Sequence, residues 1–140
     1  MYDRRMRALP RSRSSRLILA LAVLLPCVAC KPEISADLKI DGEPFQPTAC
    51  RSGQIKNFSG VDLIDNAGRT LRLAQSLTNQ PQAILIAGDQ VIDLGPCGTM
   101  TVNRQNSTVN DVTNVEGQAI LECEGSEHSV IGAVSFKNCH

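Results

Sequence analysis

Past residue 37 the chain alternates apolar and polar residues in short runs broken by turn residues, which is the period of β-strands. The clearest case is Val61 to Leu73. Asn66-Ala67-Gly68 forms a three-residue turn, with glycine where a left-handed residue is needed. That register sets Val61 opposite Leu73 and Leu63 opposite Leu71 on one face, and Asp62 opposite Arg72 on the other. Asp62 and Arg72 then read as an exposed cross-strand pair rather than a catalytic one. A second hairpin runs from Ala83–Ala87 to Gln90–Leu94 about Gly88-Asp89, a sequence suited to a type II′ turn. Ile86 meets Val91 and Leu85 meets Ile92. Ala83–Ala87 is apolar on both faces, which predicts a central strand.

Earlier, Leu38–Ile40, the turn Asp41-Gly42 and the segment around Phe45 begin the β region, with Pro44 and Pro47 confining it to an edge or irregular strand. Cys50 follows, just ahead of the polar run Arg51–Gln54. Later, Cys97–Arg104 pairs with Glu116–Cys123 about Asn110, and His128–Cys139 forms the last strand. No helix of consequence is predicted. Seven or eight short strands point to an all-β fold, a small antiparallel sandwich or barrel.

The first 29 residues follow another logic. Residues 1–16 hold six arginines against one aspartate, and nine apolar residues follow, Leu17–Leu25. A basic start, a short apolar core and small residues near a cut make a secretory signal. A membrane-spanning helix needs about 20 apolar residues, and Leu17–Ala29 supplies 13. A start at Met6 would leave the leader complete.

Behind that core stand Val28, Ala29 and Cys30, and there the chain resembles bacterial lipoprotein precursors. Cys27 occupies the position where that family carries an aliphatic residue. The resemblance implies that Cys30 receives diacylglycerol and becomes the first mature residue, anchored in a lipid bilayer. Lys31, where the family's inner-membrane retention signal is aspartate, implies the outer membrane of a two-membrane cell. Ordinary cleavage at the same bond would instead give a secreted protein. The organisation expected is thus 1–29 signal peptide, 30–37 lipidated cysteine and tether, and 38–140 β domain. Extended, seven tether residues reach at most about 25 Å.

Cysteine arithmetic agrees with an exported chain. Of six cysteines, Cys27 leaves with the leader and Cys30 takes the lipid, so Cys50, Cys97, Cys123 and Cys139 remain for two disulfides. Four cysteines allow three connectivities. Pairing 97–104 with 116–123 about Asn110 puts Cys97 opposite Cys123, within bridging distance; a tight turn at Asn110-Asp111 would shift that register and require a bulge. Elimination leaves Cys50–Cys139. Strict alternation, however, turns Cys139 to the face of Lys137, so the second bridge requires a kink in the last strand. The layout, a tethered β domain with Cys50 early and Cys139 late, also weakly resembles mycobacterial small lipoprotein antigens.

Charge and composition narrow the function. Zero net charge hides a split, because six of 14 basic residues and one of 14 acidic ones lie in the leader. The mature part carries a net of about −5, which argues against a nucleic-acid partner. Phe45, Phe58 and Phe136 are its only aromatics, too few for ring stacking. His128 and His140 read as solvent-exposed, outside any zinc or triad pattern. No nucleophile elbow, metalloprotease motif or phosphate loop occurs, so neither an enzyme nor a cofactor is expected. The polar run 103–116 is the best remaining candidate: a binding loop centred on Asn110, Asp111 and Asn114. Asp111, Asn114 and Glu116 have oxygens to offer calcium, but their spacing lacks the calcium-loop pattern. The expectation is a non-catalytic cell-envelope lipoprotein with a structural or binding role. The alternative is a protein- or small-ligand-binding module acting through the 103–116 loop.

Overall fold

The computed structural model describes residues 31–78 and 80–140, so the leader and Cys30 lie outside the described residues. Ten strands form two antiparallel five-stranded sheets. The first sheet has the order β2 (Glu43–Phe45), β1 (Glu33–Ile40), β10 (Ser129–Cys139), β9 (Val112–Glu124), β8 (Thr99–Val109). The second follows chain order: β3 (Pro47–Ser52), β4 (Gly60–Asp65), β5 (Thr70–Gln75), β6 (Pro81–Ala87), β7 (Gln90–Pro96). The fold is therefore a sandwich, not a closed barrel.

Both sequence-read hairpins hold in detail. Val61 pairs with Leu73 and Leu63 with Leu71, and all four are fully buried. Ile86 pairs with Val91 and Leu85 with Ile92, and β6 is central, between β5 and β7. Gly88 has φ +59° while Asp89 is not left-handed, as a type II′ turn requires.

Other expectations are corrected. The tether is mostly strand: β1 begins at Glu33, with Ile34, Ala36, Leu38 and Ile40 on one face. Cys50 lies within strand β3 rather than at the head of a polar loop, and the coil after it is a 3₁₀ turn, Gly53–Lys56. Ser52 Oγ caps that turn by accepting from the Gln54 amide at 3.3 Å.

The strands of the two sheets cross. Cys50 of β3 is bridged to Cys139 at the end of β10. At the opposite end of the first sheet, Leu94 of β7 lies against Gly125 in the β9–β10 turn. The second sheet's strand order therefore runs along the first sheet's strands. Conversely, Phe45 of edge strand β2 meets Arg69 in the β4–β5 turn, while edge strand β8 lies by Gly60 and Gln75, at the other end of β4 and β5. This is the orthogonal way to close two sheets on one core. Leu38, Phe45, Leu63, Leu71, Leu121 and Val130 fill the space between them.

β10 shows what close pairing demands. A Cβ on Gly132, whose φ is +132°, would sit 1.9 Å from the Asp37 carbonyl oxygen on β1. Only glycine lets the two strands approach there.

Both disulfides join the expected partners. Cys97–Cys123 does so for a reason other than direct opposition. Thr99 pairs with Ile120, so Cys97 precedes β8, in the crossover from β7, where its amide donates to the Pro81 carbonyl at 3.0 Å. Cys50–Cys139 forms because the last strand kinks. The register slips between Phe136 and Cys139, and Asn138 takes a left-handed φ of +57°. Phe136 and Cys139, three residues apart, thereby both point into the core.

Candidate functional site

The 103–116 stretch is not a loop. It is the outer half of the β8–β9 hairpin, closed by the two-residue turn Asn110-Asp111 with φ +49° and +64°. Two left-handed residues make a type I′ turn, to which Asn and Asp are suited. Val109 pairs with Val112 and Thr108 with Thr113, whereas Arg104 pairs with Val115. β8 thus carries extra residues between Arg104 and Thr108, a bulge that reconciles the tight turn with the inner register.

Cys139 of β10 pairs with Val115, so beyond Val115 the hairpin pairs only with itself and projects past the sheet. Asn110 and Asp111 are exposed at its tip. Asn114 is not beside them: it is buried, and its Nδ2 donates to Ser107 Oγ at 2.9 Å across the hairpin. Its Oδ1 is buried without a partner. The three expected binding residues are thus divided between tip and interior. Glu116 is half-buried further down β9. Among the described residues no group of three or more His, Cys, Asp or Glu is placed to hold a metal ion.

The arm rests on the 3₁₀ turn, because the Thr113 amide donates to Gln54 Oε1 at 3.1 Å. Beneath this contact lies a cavity of about 400 Å³, lined by Ser52, Gln54, Phe58, Gln75, Arg104 and Val115 among others. Sequence reasoning missed it, since its walls come from both sheets and meet only because the sheets cross. Its polar lining and single guanidinium suit a small polar or anionic ligand.

On the outer face of the second sheet, Arg72 and Asp62 form a two-pronged pair, Nε to Oδ1 at 2.8 Å and Nη2 to Oδ2 at 2.9 Å. The pair is covered, not exposed as expected: Asp62 is 7% exposed, and the Arg72 guanidinium lies 4.6 Å from the centre of the Phe58 ring. Hydrogen bonding to Asp62 raises the Arg72 pKa above its ordinary value. The arrangement is a structural clamp that spends the carboxylate on the guanidinium.

The histidines are better covered than expected. His128, in the β9–β10 turn, has Nδ1 2.8 Å from Asp41 Oδ2 in the β1–β2 turn. The Ser129 amide donates to Asp41 Oδ1 at 2.8 Å. The hydrogen bond with His128, then that from Ser129, hold the Asp41 carboxyl below the usual carboxylate range. His140 is half-buried, with Nδ1 3.3 Å from the Asn138 carbonyl oxygen. Comparison with known protein families, curated proteins and solved structures returns no match.

Proposed function

We propose that the chain is a non-catalytic cell-envelope lipoprotein of the outer membrane, with a structural or binding role. Its β sandwich is held to the bilayer by acylated Cys30. The observation that carries this reading is the use of cysteine. Both bridges together consume all four cysteines of residues 31–140, which leaves Cys30 no partner among them. A lone cysteine at the end of a signal-like leader, ahead of a disulfide-bonded body, is what an acylated export product requires. Intact and reduced mass spectrometry of the protein from its native envelope tests it. The expected product starts at Cys30, carries the acyl mass and gains four hydrogen atoms when its two bridges are reduced. A chain with residues 1–29 attached and Cys30 unmodified would overturn the reading.

A second reading, a binding module acting through residues 103–116, is favoured by the cavity that Arg104, Thr113 and Val115 help to line. Its test is affinity capture from the envelope with the native chain and with Arg104→Gln, a substitution within 103–116 that removes the cavity's one guanidinium. An unchanged set of captured ligands would defeat it.

A further inference from the structure

Register and crossing together place most of the free cations at one end of the molecule. In the first sheet, Glu33 pairs with Lys137, Cys139 with Val115, and Val115 with Arg104. The start of β1, the end of β10 and Arg104 therefore share one end. The Asn138 side chain Nδ2 donates to the Lys31 carbonyl there at 3.4 Å. The crossed second sheet lays its edge strand β3 and the 3₁₀ turn over the same end, through Cys50–Cys139 and the Thr113–Gln54 bond.

Residues 31–140 contain eight Lys and Arg. Arg69 and Arg72 are spent on Asp65 and Asp62. Five of the other six lie at this end: Lys31, Arg51, Lys56, Arg104 and Lys137. All five are exposed, and none is ion-paired within the described residues. Ile55, on the same 3₁₀ turn, is 51% exposed. Glu33, Asp111 and Glu116 are the acids nearby, besides Asp62, which lies opposite Arg51 and is held by Arg72. The opposite end, around the β1–β2 and β9–β10 turns, carries Asp41, Glu43, Asp93, Glu122, Glu124 and Glu127 against Lys39 alone. Residues 31–140, with a net of about −5, are thus cationic at one pole.

That pole is where the chain comes from Cys30. Only Lys31 and Pro32 separate Cys30 from β1, and two residues span at most about 7 Å. The surface potential of an anionic bilayer decays over a Debye length of about 8 Å at physiological salt. A seven-residue tether would let the pole leave that layer; a two-residue one does not.

We propose that the end bearing Lys31, Arg51, Lys56 and Lys137, with Ile55 beside Lys56, docks on an anionic phospholipid surface and fixes the domain with its acidic turns pointing away. The inference rests on the lipoprotein reading and adds to it an orientation and a lipid charge. Cations near an anionic surface are attracted individually, and an apolar side chain among them enters the headgroup layer.

The test uses the full mature protein, purified with its acyl chain and reconstituted in phosphatidylcholine vesicles with or without phosphatidylglycerol. Amide hydrogen exchange is read at residues 53–58 and 125–128. Phosphatidylglycerol should slow exchange at 53–58 roughly threefold or more and leave 125–128 unchanged; in the double variant R51E/K56E it should slow neither segment. Equal exchange at both ends, or no dependence on lipid charge, would overturn the proposal while leaving the anchor intact. If mass spectrometry finds Cys30 unacylated, the anchor reading falls, and co-sedimentation of the released chain with the same vesicles decides the face by itself. Binding at low salt that weakens roughly tenfold in R51E/K56E sustains it, and absence of binding overturns it.

Discussion

Gln105 and Asn138 lock two β-bulges together. Gln105, inside the β8 bulge, donates from Nε2 to Asn138 Oδ1 at 3.2 Å and accepts at Oε1 from the Asn138 amide at 3.0 Å. Asn138 is the kinked residue of β10, two strands away across β9. One bulge gives the hairpin its tight turn, the other aims Cys139 inward, and a single amide pair serves both.

Asn138→Gly should therefore be milder than Asn138→Val. Glycine keeps the left-handed backbone, whereas valine adds about 1–2 kcal/mol of strain to the lost hydrogen bonds. Gln105→Ala, which leaves the kink itself alone, should cost about 1–2 kcal/mol. Denaturant unfolding of the three variants gives the order. Equal losses for glycine and valine would show that the left-handed conformation at Asn138 carries no energetic weight.

The Asp62–Arg72 clamp predicts strong coupling. Arg72→Met leaves a covered carboxylate without its partner, at a cost of about 1–3 kcal/mol. Replacing both, as Asp62→Val with Arg72→Met, should cost less than Arg72→Met alone, because the uncompensated charge is gone. A double-mutant cycle by chemical denaturation measures the coupling. Additive losses would mean that the two side chains act independently.

The two bridges should differ in weight. Cys50–Cys139 spans 89 residues and Cys97–Cys123 spans 26. Chain-entropy scaling assigns them about 4.5 and 3.5 kcal/mol. Paired Cys→Ala replacement of the longer bridge should thus lower stability by about 1 kcal/mol more than replacement of the shorter one. Unfolding midpoints of the two double variants give the comparison, and the reverse order would place the dominant effect in the native state rather than in the unfolded chain.

Asp41 predicts a specific acid response. Its carboxyl titrates lower in the folded chain than in the unfolded one, where the ordinary value is about 3.9. The folded state gains from the charged form above that value and loses the gain as pH falls through the folded value. Asp41→Asn keeps a residue suited to the left-handed turn, where φ is +53°, but lacks this titration. The native chain should be more stable than the variant at pH 5, and the gap should close toward pH 2. A pH-independent gap in unfolding free energy would assign the effect to turn geometry alone.

What the sequence disclosed was what neighbouring residues decide. The hairpins at 61–73 and 83–94 combine alternation with turn chemistry a few residues apart, and their registers were readable to the residue. β1 carried the same alternation at Ile34, Ala36 and Leu38, yet read as tether beside Pro32, because its main partner β10 lies about 100 residues away. The outer half of the β8–β9 hairpin read as loop for another reason. It extends beyond the sheet, so it has few core-facing positions to make apolar. Both cysteine pairs were readable, but Cys97–Cys123 rests on a crossover and Cys50–Cys139 on the left-handed Asn138, neither of which leaves a periodic signal. The cavity and the cationic pole were least legible. Each depends on how the sheets cross, which brings together residues that no local pattern connects.

The position of β10 has a consequence for how the chain reaches this state. It is the last strand in sequence, and it is inserted at the centre of the first sheet, between β1 and β9. Ile40 pairs with Val130 and Glu33 with Lys137, so β1 must wait through the synthesis of eight further strands before its main neighbour exists. Folding dominated by such distant pairings takes milliseconds to seconds rather than microseconds. Until that final strand is made the first sheet stays open between β1 and β9, whereas the second sheet, β3 to β7, has all its strands well before.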